Sequence, residues 1–227
     1  MPNVITNPTN FPRRVSNYVR AMMYSSDVNY NGLTRVSFGA PAANNASLVA
    51  NGSSVAAAGA VDLTTATPFP ETYGRTCTIV ASGAGGTGVV SLYGWDYLGQ
   101  PMREDVTLNG VTPVAMKKAF KSFNNITSPG GMAGITVQIG SGSGLGLPYK
   151  CLRVEWEVAN GLAVAAGTLT APVLTDPQTA TTGDPRVTYA PTTALNGTNI
   201  ISGVFDFAND VNTSNNGGLH GIQQYTA

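Results

Sequence analysis

The sequence predicts an all-β fold: an antiparallel β-sandwich or barrel over residues 71–227, preceded by an extended N-terminal arm over 1–70. Two observations carry this expectation. Between Thr76 and Val158, short stretches alternate apolar and polar side chains with a period of two, and glycine-rich or proline-bearing turns separate those stretches at close intervals. A chain of 227 residues is long enough for one ample core, or a core with a smaller lobe.

The arm comes first. Residues 1–70 are broken by Pro2, Pro8, Pro12, Pro41, Pro68 and Pro70, and such a segment needs another surface to stay ordered. Within it Val15, Tyr18, Val19, Met22 and Met23 follow helical spacing behind Pro12, a good first-turn residue, so one short helix is expected. That helix either packs on the chain's own sheet or anchors a neighbouring subunit. From Ala40 to Thr67 the residues are small and polar, which predicts an extended loop with at most one edge strand.

The β-dense centre follows, with strands expected at Thr76–Ala81, Val89–Tyr93, Met102–Leu108, Val114–Phe123, Ile135–Ile139 and Tyr149–Val158. Ile135, Val137 and Ile139 share one face against Thr136 and Gln138. In the last strand, strict alternation puts Leu152, Val154, Trp156 and Val158 on a core face, with Tyr149, Cys151, Arg153, Glu155 and Glu157 opposite. Gly94 to Pro101 carries the glycines and proline of a reversal, so Val89 to Leu108 reads as a hairpin with a long, aromatic-tipped loop. Asn160-Gly161 is a hairpin dipeptide leading to a further strand within Leu162–Leu169. A proline- and threonine-rich stretch, a last apolar strand at Ile200–Phe207 and an Asn/Gly-rich tail close the chain.

Composition narrows the function. Charged residues are only 11% of the chain and the formal net charge is zero, a poor match to nucleic acid, which is held chiefly by Lys and Arg. Charge is unevenly placed, however: Arg13, Arg14, Arg20 and Arg35 face only Asp27 in the first sixty residues. After Val154, Arg186 stands against Glu155, Glu157, Asp176, Asp184, Asp206 and Asp210. Either the two ends neutralise each other within one molecule, or a basic arm reaches an acidic surface on a neighbour. Met1 to Arg20 lacks an apolar core of signal-peptide length and no run approaches a membrane span, so a chain made in a cytosol, with no membrane partner, is expected.

Chemical motifs are few. Gly83-Ala84-Gly85-Gly86-Thr87-Gly88 satisfies G-x-G-x-x-G formally, but a dinucleotide site needs those glycines to open a helix, and Val89 to Tyr93 reads as a strand. A flexible hairpin loop is expected there. The run Gly140 to Gly146 lacks the Lys and Ser/Thr of a phosphate loop and is expected to lead into a strand. His220 sits in a glycine-rich tail, a poor place for a general base. Glu104 and Asp105 point to opposite faces of one strand; Glu155 and Glu157 share a face with Arg153 and read as a salt-bridged surface. Cys77 and Cys151 have no metal-ligand spacing; they either pair across adjacent strands or, as their strand positions favour, remain buried thiols. The expectation is a non-enzymatic protein with no cofactor and no metal.

Several stretches together have a family resemblance. Tyr93-Gly94-Trp95-Asp96-Tyr97-Leu98-Gly99-Gln100-Pro101 is followed by Arg103 through Gly110 and by Lys118-Ala119-Phe120. Ile139-Gly140 through Pro148-Tyr149, and Gly183 through Pro191 with Leu195-Asn196-Gly197, extend the pattern over roughly the last two thirds of the chain. This cadence resembles structural proteins of tailed-bacteriophage virions. The resemblance implies a capsid decoration, or cement, protein: all-β, often jelly-roll-like, without a cofactor, and made in the host bacterial cytoplasm. It also implies binding to the major capsid protein on the capsid exterior and assembly as a homodimer or homotrimer. A tail or baseplate component, or a carbohydrate-binding adhesin module using Trp95, is the alternative. Candidate contact residues are Arg13, Arg14, Arg20 and Arg35 in the arm, with Trp95 and Tyr97 in the aromatic loop.

Overall fold

In a computed structural model of the chain, the structure describes residues 32–63, 69–148, 151–171, 181, 183–184 and 186–207. The expected helix around Val15 to Met23, Arg13, Arg14, Arg20, Tyr149, and the tail with His220 lie outside the described residues. Among those described, every regular element is a strand and every pairing is antiparallel.

The strands are β1 (Gly32–Gly39), β2 (Ala50–Ser54), β3 (Gly59–Ala60), β4 (Arg75–Ala81), β5 (Val89–Trp95), β6 (Pro101–Thr107), β7 (Val114–Ala115), β8 (Ser122–Ser128), β9 (Thr136–Gly146), β10 (Cys151–Ala159), β11 (Leu162–Val164), β12 (Thr168–Thr170), β13 (Thr188–Ala190) and β14 (Ile201–Phe207). They form three sheets: β1-β14-β10-β11; β12-β13-β9-β4-β7, with β2 also on β9; and β3-β8-β5-β6.

The larger core lies between the second and third sheets. Cys77, Ile79, Val137 and Ile139 from one meet Val90, Leu92, Met102, Val106 and Ile126 from the other, the interdigitation of a β-sandwich. Each such side chain contributes about 1.5–3 kcal/mol by leaving water. A second core gathers Val36, Phe205 and Phe207 of the first sheet against Leu147, Val187 and Tyr189. Tyr189 and Phe205 meet edge to face at 5.0 Å.

Two turns form as their residues dictate. Asp96 Oδ1 accepts from the amides of Leu98 and Gln100, both at 2.8 Å, and Gly99 takes a φ of 78°, so β5 and β6 fold back with Trp95 opposite Pro101. Asn160 and Gly161 both have positive φ, 50° and 84°, as a two-residue type I′ turn requires, and join β10 to β11.

Elsewhere tertiary packing overrides the local pattern. Residues 32–63 do not form a free arm or a single loop with one edge strand: β1 pairs with β14, β2 with β9 and β3 with β8. The apolar side chains Val36, Val49 and Val55 are buried in the two cores, which is what draws the segment onto the sheets. The expected strand Val114–Phe123 is interrupted, because the Lys117 and Lys118 amides donate to the Glu104 carboxylate at 2.8 and 2.9 Å and the Ala119 amide to Asp184 Oδ2 at 3.2 Å. Those donors are lost to a ladder. Gly83 to Gly88 is not a hairpin loop: β4 lies between β9 and β7 while β5 lies between β6 and β8, so this connection crosses from one sheet to another.

The Gly140–Gly146 run does not lead into a strand; it is the second half of β9. Its glycines serve close approach. A Cβ on Gly140 would collide with the Asn45 carbonyl oxygen, and one on Gly146 with that of Tyr73.

The sharpest correction concerns β10. Its register against β14 runs Cys151 to Phe207, Arg153 to Asp206, Val154 to Phe205, Trp156 to Val204 and Glu157 to Gly203, so Leu152 and Glu155 are each an inserted bulge residue. Each bulge flips the alternation. Cys151, Val154 and Glu157 therefore face the core, whereas Arg153, Trp156 and Val158 face outward. Strict alternation had Trp156 inside and Glu157 outside.

Candidate interaction surface

The buried charges decide how the surface is held. Arg75, 1% exposed, donates from Nε to Gly142 O at 2.6 Å, from Nη1 to Ala42 O and Glu71 Oε1, both at 2.9 Å, and from Nη2 to Asn44 Oδ1 at 2.7 Å. One guanidinium thus clamps the 42–44 segment across β9. Arg186 Nη1 donates to Asp96 Oδ2 at 2.6 Å, its Nε lies 3.4 Å from Asp184 Oδ1, and its guanidinium sits 5.1 Å over the Tyr97 ring. Burial by itself opposes the Arg186 charge, but Asp184 and Asp96 outweigh it and hold the pKa above its ordinary value.

Glu157 accepts from the Tyr189 hydroxyl at 2.5 Å and from the Thr192 and Thr193 amides at 3.0 and 2.9 Å. Burial alone would raise its pKa, yet the hydrogen bonds from Thr193, Tyr189 and Thr192 win and lower it. Glu104 is the opposite case: burial raises its pKa to about 7 despite the Lys117 and Lys118 amides. Burial also lowers Lys118 to about 8, against the pull of Glu104 and Asp184. Chemically these groups brace straps and turns. Glu155 and Glu157 do not share a wet face: Glu155 pairs with Arg153 at 2.6 Å, and Glu157 is interior.

The proposed contact residues fall in separate places. Arg35 is exposed on β1 in the first sheet, donating from Nε and Nη2 to Ser202 Oγ at 3.2 and 2.9 Å. Trp95 ends β5 in the third sheet and is 39% exposed. Tyr97 turns inward instead: its hydroxyl donates to Pro148 O at 2.8 Å and its ring meets Tyr73 edge to face at 5.1 Å. It is half-buried and braces the β5–β6 turn. Tyr93 is half-buried, with the Arg103 guanidinium 5.4 Å over its ring.

No protein-family model, curated protein or solved structure matches this chain. The surface must therefore be read on its own chemistry.

The residue that the alternation concealed is Trp156, 46% exposed on the outer face of the first sheet. Arg35, Val204 and Trp156 form one row across β1, β14 and β10; Ser37, Ser202 and Val158 form the next, and Arg153 stands beside Asp206 in the row before. Val204 and Val158 are half-buried, so the tryptophan rises from an apolar floor between two arginines. The arginines themselves are visible in the sequence. Their sharing an outer face with Trp156 is not, since it depends on the β10 bulges.

Both cysteines are buried free thiols, Cys77 on β4 of the second sheet and Cys151 on β10 of the first. Among the described residues, no group of three or more His, Cys, Asp or Glu side chains could hold a metal ion, and no helix is long and apolar enough to cross a membrane.

Proposed function

We propose that this chain is a non-enzymatic structural protein of a tailed-bacteriophage virion, binding the outside of the capsid through the major capsid protein and stabilising the shell as a decoration or cement protein. It would act as a homodimer or homotrimer, so that repeated modest contacts add by multivalency. The observation that carries this reading is the division between interior and surface. Buried charges lock straps and turns onto a three-sheet platform, while Trp95 and Trp156 are held outward on strands. A large aromatic on a rigid strand loses little freedom on binding, which suits it to anchor a protein interface. The motif resemblance supplies the particle.

The test is co-sedimentation of the purified chain with shells that lack it, followed by a count of bound copies. Binding spread over the capsomer lattice with a rise in the shell's disruption temperature supports decoration. A single ring of copies at one vertex would indicate a tail or baseplate part. One observation favours a carbohydrate-binding adhesin as a second reading: Trp95 stands half-exposed on the same sheet as Tyr93 and Arg103. Glycan-array binding lost on Trp95→Ala, with the fold intact, would establish that reading in place of the first.

A further inference from the structure

We infer that the outer face of the β1-β14-β10-β11 sheet takes a second copy of this chain, closing an isologous dimer about a two-fold axis that runs along β14. This rests on the homo-oligomer part of the proposed function and goes beyond it by choosing dimer over trimer and by naming the face.

The face is apolar at its centre and electrically neutral. Trp156 is 46% exposed, Val158 and Val204 are half-buried, and Ile200, which precedes β14 and alternates with the buried Ile201, is 58% exposed. An exposed apolar patch on a folded domain marks a protein contact. Among the described residues its charges are two cations, Arg35 and Arg153, and two carboxylates, Glu155 and Asp206. Arg153 holds both carboxylates already, its Nε lying 2.6 Å from Glu155 Oε1 and 3.2 Å from Asp206 Oδ2. A strongly charged partner therefore meets no net field here, and two copies brought face to face meet no net repulsion.

The register makes this face complementary to itself. Arg35, Val204 and Trp156 stand opposite one another on β1, β14 and β10, so the arginine and the tryptophan lie one strand spacing to either side of β14. Turning a second copy about an axis along β14 lays β1 of each copy over β10 of the other, the aligned stacking that sheets adopt at about 10 Å. Val204 then meets Val204, and each Arg35 comes over the other copy's Trp156, a cation–π contact made twice. Arg35 is suited to it, because its described hydrogen bonds go to a hydroxyl, Ser202 Oγ, at 3.2 and 2.9 Å, and not to a carboxylate. In the next row Ser37 falls over Val158. A two-fold axis lying across the strands through the same row instead lays Arg35 on Arg35, and like charge opposes it. An isologous face is consumed by two copies, so the assembly closes at the dimer. Strands β1, β14 and β10 offer on the order of 400 Å² per copy, from spacings of about 4.8 Å between strands and about 3.4 Å per residue. That is small for a stable complex and sets the dissociation constant on the order of 10–100 μM.

The experiment is sedimentation equilibrium of the purified full chain, without shells, over about 5–500 μM, a range that brackets the expected constant. A monomer–dimer equilibrium is expected. Trp156→Ala and Arg35→Glu should each weaken it by about tenfold or more, since each change acts twice in the dimer, whereas Arg35→Lys, which keeps a cation over the ring, should weaken it by less than about threefold. Raising NaCl from ~50 to ~500 mM should move the constant by less than about threefold, because the face carries no net charge to screen. Each variant is checked for an unchanged thermal transition. A mixture of Ser37→Cys and Val158→Cys chains should be cross-linked by a short bis-maleimide far more than either chain alone, the native thiols being buried. A dimer that survives both Trp156→Ala and Arg35→Glu, that dissociates steeply with salt, or that cross-links through Ser37→Cys alone overturns this face and leaves the homo-oligomer reading standing. A trimer does the same. A monomer throughout the range overturns both, while co-sedimentation with shells judges capsid binding separately.

Discussion

Replacing Arg75 by Met should be among the costliest single changes in this protein. The guanidinium makes four hydrogen bonds, to Gly142 O, Ala42 O, Glu71 Oε1 and Asn44 Oδ1, and its side chain is 2% exposed. Methionine fills much of the volume but leaves the Glu71 carboxylate, 3% exposed at its side chain, without a cation. Glu71 Oε2 already lacks a hydrogen-bond partner, so the group has no second support. Breaking a buried pair from one side costs about 3–5 kcal/mol, a large share of the roughly 5–15 kcal/mol of an ordinary domain. In urea denaturation followed by tryptophan fluorescence, the extrapolated stability should fall by that amount, the midpoint shifting by the loss divided by an unchanged m-value. Arg75→Lys keeps the charge but cannot span four acceptors with one ammonium, and should recover less than half of the loss. Glu71→Gln combined with Arg75→Met should cost clearly less than the two single changes together, since the orphaned charge is gone. A loss within about 1 kcal/mol for Arg75→Met, or strict additivity in the cycle, would refute the clamp.

Other expectations follow from the same geometry. Gly140→Ala drives a Cβ into the Asn45 carbonyl, so it should lower the melting temperature and, in hydrogen exchange, loosen 44–48 and β9 first. Glu157, with its pKa held below the ordinary carboxylate value, contributes stability above that value that is lost as pH falls through the depressed folded one; Glu157→Gln should flatten the acid limb of a stability–pH curve. Glu104, raised from 4.5 to about 7, binds a proton more tightly when folded, so its contribution grows as pH drops from about 7 toward 4.5, and Glu104→Gln should remove that slope. Burial raises the Cys77 thiol far above its usual range and pushes Cys151 up to about 12, so both should resist a thiol reagent at pH 8 until the chain is unfolded.

How far the sequence disclosed this fold depends on where the signal resides. Asn160-Gly161, the Gly94–Pro101 reversal and the final apolar strand were legible because each is a local property: a φ requirement, a turn residue, a run of β-formers. β1 was obscured. Thr34, Val36 and Phe38 alternate with Leu33, Arg35 and Ser37, but the pattern is short and follows a proline-broken stretch. β9 was cut short for the opposite reason, since glycine reads as turn unless the backbone that crowds against it is known. The outward face of β10 was unreadable in principle, because two single-residue insertions depend on the partner strand β14 and not on β10's own residues. Charge asymmetry was legible as a count and misleading as a surface: Glu157, Asp184 and Asp206 are acidic in the sequence and interior in the fold.

The pairing of β1 with β14 has a mechanical meaning. Gly32 lies opposite Phe207, so the first and last strands of the first sheet bring both flanking segments out at the same end. Tension applied between those segments would open the ladder one rung at a time, like a zipper, because antiparallel hydrogen bonds lie across the strands. Load entering through the sheet's outer face instead meets all four strands together. The sheet is therefore strong in the second direction and weak in the first. Resistance to load therefore resides in the breadth of the sheet and not in the ends of its strands.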